Sequence, residues 1–551
     1  MTVPLNLQVR VHITYNRQGR SPASAANSPR PALGASFSVA LGILLSRITG
    51  LLRESVVSHY FGVQTIAADA FRGAIRIPNM LNNLFGEGVL SAAFITVYSK
   101  LLAAEQKKEA EHLAEVVFSI LSLVCAALVF LGITLTPLLT ALIVPGFTGE
   151  KRALTIQIVR ILFPGTGLLV LSAWCLGVLN SHRQFLLSYL APVAMNLTMV
   201  IGLILVGRGR ALDRLVIDLA WIYVLGSVLQ FLIQIPRVLQ FLPHFRPALG
   251  FGSQSVRAVM RNFGPIFLSR GVVQISSTVD QIIASYLPGG AVAALAYGQV
   301  ISLLPIGLFS MSVSAAELPA LSSVTGTNEE VAVVLRRRLS SGLRRIAFFI
   351  VPSAVAFLLL GDVLAAALYQ SGKFTHDDAV EVWLAIGGSS VGLLATGLGR
   401  LYSSAFYALL DTRTPLRFAM IRIALTISLG WLFALHVPRW LGLHPNWGIA
   451  GLTASAGIAG WVEFVLLRRG LSQKIGAVSL PADFTFRLWI VAFVAALLGY
   501  CCKMFFGTAH PRLLAAFVVP FFGVIYFGGT ALLGIDEART TVNAVLRRFR
   551  R

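Results

Sequence analysis

Long apolar stretches recur along the chain between residues 36 and 534, and short polar connections separate them. Each stretch has about 20 or more residues, enough for an α-helix to cross ~30 Å of hydrocarbon. The stretches cover 36–61, 66–100, 113–144, 153–180, 185–207, 214–241, 257–287, 291–324, 345–370, 378–409, 415–436, 447–468, 485–506 and 511–534. The pattern predicts an all-α polytopic membrane protein with about 14 transmembrane helices, the longest of them tilted or kinked.

Composition agrees with a membrane protein. Of the 551 residues, 56% are hydrophobic and only 12% are charged, whereas soluble domains carry about 25% charged residues. The net charge of +22 does not indicate nucleic-acid binding, because the basic residues lie at the ends of apolar stretches, as in cytoplasmic loops and next to anionic headgroups. The four cysteines lie inside apolar stretches without disulfide or zinc spacing, so we expect no metal and no cofactor.

The distribution of Lys and Arg predicts the orientation. With a cytoplasmic N-terminus, the loops and tails assigned to the inside hold roughly three times as many basic residues as the outside loops. Both termini are therefore predicted to be cytoplasmic, although the basic loop 208–214 falls on the outside. Residues 1–34 are polar and predict a disordered cytoplasmic tail, and no cleaved signal peptide is evident. Residues 536–551 predict a basic helix on the inner leaflet.

A weak internal repeat relates the two halves of the chain. Leu45-Ser46-Arg47 and Leu268-Ser269-Arg270 lie 223 residues apart, and Ser91-Ala92-Ala93 and Ser314-Ala315-Ala316 share that offset. Six helices separate the copies, so both halves have the same orientation, as in transporters with a site between parallel repeats. The motifs are short, and chance similarity is the alternative. The predicted domains are the tail 1–34, an N-terminal six-helix lobe 35–246, a C-terminal six-helix lobe 247–470, two additional helices within 471–535, and the tail helix 536–551.

Charged residues are concentrated in the first two apolar segments: Arg47, Arg53 and Glu54 in the first, and Asp69, Arg72, Arg76 and Glu87 in the second. At ~100° per residue, the second segment gathers Asp69, Arg72, Arg76, Asn83 and Glu87 on one stripe, which Pro78 should bend. In the first, Arg47 and Glu54 share a face and Arg53 points elsewhere. One interpretation is ion pairing between the helices. The other is an anion-binding cavity, favoured by the excess of Arg, whose guanidinium holds phosphate oxygens.

The seventh segment contains two further charges, Arg270 and Asp280, about 15 Å apart along a helix and therefore not simply paired within it. Asp280 is a candidate site for a coupling cation or proton, and a hydrogen bond to a neighbouring Ser or Thr is the alternative. For Glu317 a capping or interfacial role is favoured over substrate binding. The run from Asp411 to Pro415 predicts a tight turn between helices.

Four stretches resemble one known family. They are SRITGLLRESVVSHYFG, ADAFRGAIRIPNMLNNLFGEGVLSAAFITVY, LNSHRQFLLSYLAPVAMNLTMV and SAFYALLDTRTP. They resemble the MurJ (MviN) lipid II flippase family of the multidrug/oligosaccharidyl-lipid/polysaccharide exporter superfamily. The resemblance implies two six-helix lobes in a parallel pseudo-twofold repeat, plus two helices that form a lipid-facing groove. It also implies a substrate, the undecaprenyl-pyrophosphate-linked disaccharide pentapeptide from which peptidoglycan is built.

The resemblance implies cavity roles for Arg47, Arg53, Glu54 and Asp69. The chain departs from the family at two cationic positions. Some relatives have an arginine pair where this chain has Asn82-Asn83, and relatives often have an arginine at the position of Val300. Arg76 and Arg270 are candidates to replace the missing charges, on the ground of their place in the repeat rather than of a motif.

The function predicted is lipid II flipping from the inner to the outer leaflet by alternating access. Arg47, Arg53, Arg76 and Arg270 would hold the pyrophosphate, and the last two helices would guide the lipid tail. The predicted location is the bacterial inner membrane, with lipid II and membrane lipids as partners and proteins of cell-wall synthesis as candidate partners. The alternative is an exporter of another lipid-linked oligosaccharide or of drugs. An enzyme is disfavoured because the loops are short and basic and contain no Walker or zinc motif. A scaffold is disfavoured because it has no use for an arginine-lined cavity.

Overall fold

The computed structural model describes residues 33–250, 252–322, 327–506 and 510–541. Within these ranges the regular elements are helices. In the first half of the chain they are α1 (Leu33–Phe61), α2 (Ile66–Leu81), α3 (Thr96–Ala103), α4 (Lys107–Thr134), α5 (Thr136–Ile143), α6 (Gly149–Ser181), α7 (Phe185–Val206) and α8 (Leu212–Phe241).

The second half begins with α9 (Gln254–Ala284), α10 (Ala291–Pro305), α11 (Ser312–Ser322), α12 (Asn328–Tyr369) and α13 (His376–Ala408). It continues with α14 (Arg413–Trp431), α15 (Val437–Trp440), α16 (Trp447–Ile475), α17 (Ala482–Phe505) and α18 (Pro511–Leu532). The predicted all-α class is confirmed. Among the described residues, eleven helices are long and apolar enough to cross a membrane, and the count of fourteen stays a prediction.

Three π-helical segments, Asn82–Ile95, Ile306–Met311 and Leu432–His436, continue α-helices without a break. Each begins or ends within about one turn of a proline, at Pro78, Pro305 and Pro438. Proline cannot donate the i→i−4 hydrogen bond and crowds the preceding turn, and a π-turn is one way in which a helix absorbs the disturbance. The ~100° spacing that placed Asn83 on a stripe with Asp69 therefore does not hold beyond Leu81.

Helix α12 is much longer than the apolar stretch 345–370 that predicts it. It begins at Asn328 because Thr327 and Glu330 form a capping box. The Glu330 carboxylate accepts a hydrogen bond from Thr327 N at 2.9 Å, and Thr327 Oγ1 accepts one from Glu330 N at 3.4 Å. The first turns of α12 are polar, and the cap rather than hydrophobicity sets where this helix starts.

Within the first half, α6 packs against α2, α4 and α8, and α7 packs against α1 and α8. In the second half, α13 packs against α12 and α16, and α14 packs against α16. Helix α9 follows the predicted boundary at residue 246, yet it packs closely along Asn82–Ile95 of the first half. The division into two lobes stays a prediction.

The last two helices, α17 and α18, are attached to α12 at both ends. Lys503 of α17 forms an ion pair with Asp362 of α12, and Arg344 Nε of α12 lies 2.6 Å from Glu537 Oε1 beyond α18. Between these points the hydroxyl of the buried Tyr526 donates a hydrogen bond to Phe348 O at 2.6 Å. The two additional helices therefore belong to the packed body of the protein.

Candidate functional site

Helix α2 places Asp69 in its first turn. The helix starts where Thr65 Oγ1 accepts a hydrogen bond from Ala68 N at 3.1 Å. Asp69 is 1% exposed, and Lys151 Nζ of α6 lies 2.6 Å from its Oδ2. Its carboxylate also accepts hydrogen bonds from Gly290 N at 2.9 Å and Ala293 N at 3.0 Å.

The contacts of Asp69 join the two halves of the chain. The N-cap residue of α10, Gly290, has a φ of 92° and offers no side chain to cap the helix. Asp69 from the first half supplies that cap, and its negative charge lies at the positive end of the α10 dipole. The structure places Asp69 in this interface and not among the residues that line the cavity described below.

Further hydrogen bonds join the halves at the same end of the bundle. Lys373 N donates to His59 O at 2.8 Å, and Gln64 Nε2 donates to Glu381 Oε1 at 2.8 Å. Gly146 N donates to Ser285 Oγ at 3.0 Å. We call this interface, which includes Asp69, the sealed end.

A cavity of about 230 Å³ lies deeper in the bundle, between α1, α2 and α10. Its polar lining consists of Arg53, Glu54, Arg72, Arg76, Asn79, Gln281 and Gln299. Apolar residues complete the wall, among them Met199 and Val300. We call it the central cavity.

Glu54 is the centre of an ion-pair network in the wall of the central cavity. Its Oε1 lies 2.6 Å from Arg53 Nη2, and its Oε2 pairs with Arg72. Arg53 also donates to Asn196 Oδ1 at 3.0 Å. Arg53 therefore does not point away from Glu54, as the helical geometry of α1 predicted, because the long side chain curls toward its neighbour. Asp69, the acidic residue in the first turn of α2, is not part of this network and pairs with Lys151 instead.

Arg72 connects this network to the second half of the chain. Its guanidinium carbon lies 4.2 Å from the ring centroid of Tyr297 on α10, within the range of a cation–π contact. Tyr369 of α12 donates its hydroxyl to Tyr297 O at 3.4 Å. Glu54 thus orients two guanidinium groups, one of which is anchored under an aromatic ring.

The remaining predicted site residues lie apart from the Glu54 network. Arg47 is exposed on α1, and Arg76 lines the central cavity. Asp280 interacts electrostatically with Arg76 and with Arg422 of α14. Its Oδ1 is buried and accepts no hydrogen bond from any described residue. The side chains of Arg270 and Glu87, and the tails 1–32 and 542–551, lie outside the described part of the structure.

Two expectations outside the cavity concern Asp411 and Glu317. Asp411 lies in the connection between α13 and α14. It accepts hydrogen bonds from Thr414 N at 3.0 Å and Thr414 Oγ1 at 2.7 Å, and Lys474 Nζ lies 2.5 Å away. Hydrogen bonds from Lys474 and Thr414 hold the pKa of Asp411 well below its usual range. Glu317 lies 3.5 Å from Arg338. The Asp411 contacts form the predicted turn, and the capping or interfacial role of Glu317 stays a prediction.

Three charged residues of the second half were not singled out from the sequence. Arg422 Nη1 of α14 lies 3.1 Å from Glu463 Oε2 of α16, and Arg400 of α13 interacts electrostatically with both. The signal was present, because all three lie inside apolar segments, where a charge is costly. Lys151 precedes the apolar stretch 153–180, and its pairing with Asp69 depends on the approach of α6 to α2.

The fold and the cavity define a polytopic helical membrane protein of the transporter type. Residues 57–523 match the family model described as "Lipid II flippase MurJ". The chain belongs to this family, and the resemblance noted in the sequence is confirmed. It is 29% identical over 513 residues to the lipid II flippase MurJ of Burkholderia cenocepacia, covering 90% of this chain and 96% of that protein. It is 31% identical over 445 residues to the probable lipid II flippase MurJ of Rhizobium tropici, covering 77% and 79%.

Solved structures show the same fold. A structure titled "Lipid II flippase MurJ, inward closed conformation" aligns with a TM-score of 0.75 and 23% identity, over 91% of this chain and 99% of that one. An inward-facing multidrug resistance MATE family transporter of the MOP superfamily aligns with a TM-score of 0.61 and 18% identity, over 80% and 98%. The fold is therefore that of a wider group of transporters.

Proposed function

We propose that the chain is a lipid II flippase, which moves the undecaprenyl-pyrophosphate-linked peptidoglycan precursor from the inner to the outer leaflet. The observation that carries the proposal is the arginine-lined central cavity of a chain in this family. Its lining contains three arginines, Arg53, Arg72 and Arg76, and one carboxylate, Glu54, which pairs with Arg53 and Arg72. The lining therefore has a surplus of positive charge. A diphosphate is an anion that such guanidinium groups bind well. The activity is transport and not catalysis.

The size of the cavity supports alternating access. A volume of about 230 Å³ is below the roughly 300–1,000 Å³ of sites for drug-sized ligands, and a disaccharide with a peptide is larger still. The head enters only when the lobes, 35–246 and 247–470, move apart. Because the hydrogen bonds of the sealed end join the two halves, they must break when the cavity opens at that end.

The arginines have different parts in the proposed mechanism. Arg53 and Arg76 bind the pyrophosphate from the cavity wall, and Arg47 and Arg270 add positive charge from α1 and α9. Glu54 orients Arg53 and neutralises Arg72. Asp69 acts by holding the sealed end together rather than by touching the substrate.

Asp280, the candidate coupling-ion residue, lies within electrostatic reach of Arg76 and Arg422. A free cation at this carboxylate would compete with two fixed guanidinium groups. We therefore favour a role for Asp280 as a counter-ion that positions Arg76 at the cavity.

The protein is a multi-pass membrane protein, and we assign it to the bacterial inner membrane with both termini cytoplasmic. In this orientation the sealed end faces outward. The undecaprenyl tail stays in the lipid beside α17 and α18, whose exposed surface includes Phe486, Leu497 and Phe517. Proteins of cell-wall synthesis are candidate partners.

The proposed function is tested by depleting the protein in its native host while the accessibility of lipid II on the outer face is measured. We expect lipid II to accumulate on the inner face and to become inaccessible from outside. Unchanged accessibility would overturn the proposal. An exporter of a different lipid-linked oligosaccharide would leave lipid II unchanged and trap its own substrate inside.

The replacement of missing family cations by Arg270 is tested by a paired substitution. Val300 lines the central cavity, so Val300→Arg places a cation in its wall. We expect Arg270→Ala to stop flipping and Arg270→Ala with Val300→Arg to restore part of it. A silent Arg270→Ala would contradict the compensation.

A further inference from the structure

A second group of membrane-embedded charges lies in the second half of the chain. It consists of Arg400 of α13, Arg422 of α14 and Glu463 of α16, which we call the Arg400 cluster. Arg422 Nη1 lies 3.1 Å from Glu463 Oε2, and Arg400 interacts electrostatically with both residues. The helices that carry them are among those long and apolar enough to cross a membrane.

The charges of the Arg400 cluster do not balance. Two guanidinium groups face one carboxylate, and the next acid in reach, Asp280, is shared with Arg76. Arg422 Nε is buried without a hydrogen-bond partner in the described part of the chain. Because an uncompensated charge at membrane depth is costly, such residues usually line a cavity or a substrate path. The cluster therefore has positive charge available for a ligand.

The surroundings of Arg400 indicate a recess rather than a lipid-facing surface. The residue is exposed, yet the surrounding helices partly desolvate its guanidinium. At ~100° per residue, Thr396, Ser403 and Tyr407 lie on the same face of α13 as Arg400, and each is at least partly exposed. A face this polar is not stable against hydrocarbon. The face of α13 around Arg400 therefore borders a polar space inside the protein.

The Arg400 cluster adjoins the central cavity. Asp280 interacts electrostatically with Arg422 of the cluster and with Arg76 of the cavity wall. A large head group held at the central cavity extends beyond its volume of about 230 Å³. The Arg400 cluster is the neighbouring region of the second half that has cationic side chains to meet it.

We propose that Arg400 and Arg422 form a second anion subsite, which binds carboxylate groups of the peptide carried by the lipid-linked substrate. The subsite rests on the proposed function and adds a second point of recognition to it. Glu463 pairs with Arg422 and orients it, which leaves the Arg400 guanidinium to bind the ligand. A planar guanidinium matches a carboxylate in a bidentate pair. The peptide is thus held by the second half of the protein, whereas Arg53 and Arg76 bind the pyrophosphate from the first half.

The test compares two ligands on the full chain reconstituted in lipid nanodiscs. The first is lipid II with its free peptide carboxylates, and the second is the same lipid with those carboxylates amidated. Arg400→Gln is the main variant and Arg400→Lys its conservative counterpart. Arg417→Gln, at an exposed arginine of the neighbouring helix α14, is the matched control, and Arg53→Ala reports on the central cavity.

We expect Arg400→Gln to weaken binding of intact lipid II about tenfold or more, as for loss of one charge-assisted pair, and to leave binding of the amidated lipid unchanged. Arg400→Lys should retain part of the difference in affinity between intact and amidated lipid II, and Arg417→Gln should retain all of it. An equal loss of affinity for both ligands in Arg400→Gln would overturn the subsite, because a folding defect or a lipid phosphate bound at Arg400 would affect both ligands alike. No loss of affinity for intact lipid II would also overturn it. If the unmodified protein binds neither ligand, the proposed function itself fails, and with it the subsite.

Discussion

The sealed end and the central cavity both contain buried charge, and they use it in opposite ways. At the sealed end, Asp69 accepts bonds from Lys151 and from two backbone N–H groups of the other half. In the central cavity, one carboxylate, Glu54, is shared by two guanidinium groups. Arg76 adds a third cation to the same lining.

The buried charge at the sealed end holds the two halves together, whereas the buried charge in the central cavity provides a binding surface. The Asp69 carboxylate accepts three hydrogen bonds from donors of both halves, which leaves it little capacity for a ligand and stabilises the arrangement in which those donors meet. Where guanidinium groups outnumber carboxylates, as in the central cavity, some of their N–H donors remain available to bind an anion. Charge type therefore predicts function less well than the balance of donors and acceptors around each group.

Asp69→Asn is the substitution with the largest expected effect on this comparison. Asparagine keeps a cap for α10 but leaves Lys151 without its counter-charge, and breaking such a pair costs about 3 kcal/mol when it is buried. We expect a lower melting temperature of the purified protein and loss of complementation in a depletion strain. Adding Lys151→Met should recover stability, since it removes the unpaired charge. Normal stability of the single variant would show that the charge does not hold the sealed end.

Arg53→Ala tests the opposite case, a charged residue that binds the substrate rather than holding the two halves together. Glu54 keeps Arg72 as its partner, so we expect near-normal protein level and melting temperature but no complementation. Arg53→Lys should fail or be weak, because an ammonium group does not provide the planar fork. Full complementation by Arg53→Ala would remove this residue from the mechanism.

Gly146→Ala perturbs the sealed end without changing charge. A Cβ at this position would lie 2.1 Å from Ser285 O, so the backbones of the two halves must separate. We expect a loss of about 1–3 kcal/mol in stability, as for overpacking, read as a lower melting temperature. Gly250→Ala is the control, since its Cβ would meet no atom within 4 Å. Equal behaviour of the two variants would argue against close contact at the sealed end.

Substitution of Asp411 has the smallest expected effect on stability. Asp411 lies outside both the sealed end and the central cavity and therefore serves as a reference. Its pKa is depressed in the folded protein, so its contribution is fully present above its ordinary pKa of about 4 and is lost as the pH falls through the lower folded value. For an exposed pair the contribution is roughly 1 kcal/mol or less. The melting temperature of Asp411→Asn should lie below that of the unmodified protein at about pH 7, and the gap should narrow toward about pH 3. A gap that is independent of pH would show that the carboxylate charge is not responsible.

The helical segments and the family could be predicted because both depend on local properties of the chain. Apolar length defines a membrane helix wherever the helix packs, and the motif around Arg53 and Glu54 is contiguous. The long polar start of α12 does not follow from apolar length, although its capping residues Thr327 and Glu330 are visible in the sequence. The missed Arg400 and Arg422 were likewise visible as charges inside apolar segments.

Local sequence is enough to identify an all-α membrane protein of this family with a cluster of charges in its first two segments. How those charges are divided among partners depends on the tertiary structure. Asp69, Arg72 and Arg76 follow one another on α2, yet Asp69 caps α10, Arg72 pairs with Glu54, and Arg76 interacts electrostatically with Asp280. Helical periodicity gives the direction in which a side chain leaves its helix, whereas the partner it meets depends on helices tens or hundreds of residues away. Long side chains reach these partners by bending, and no local rule contains that information.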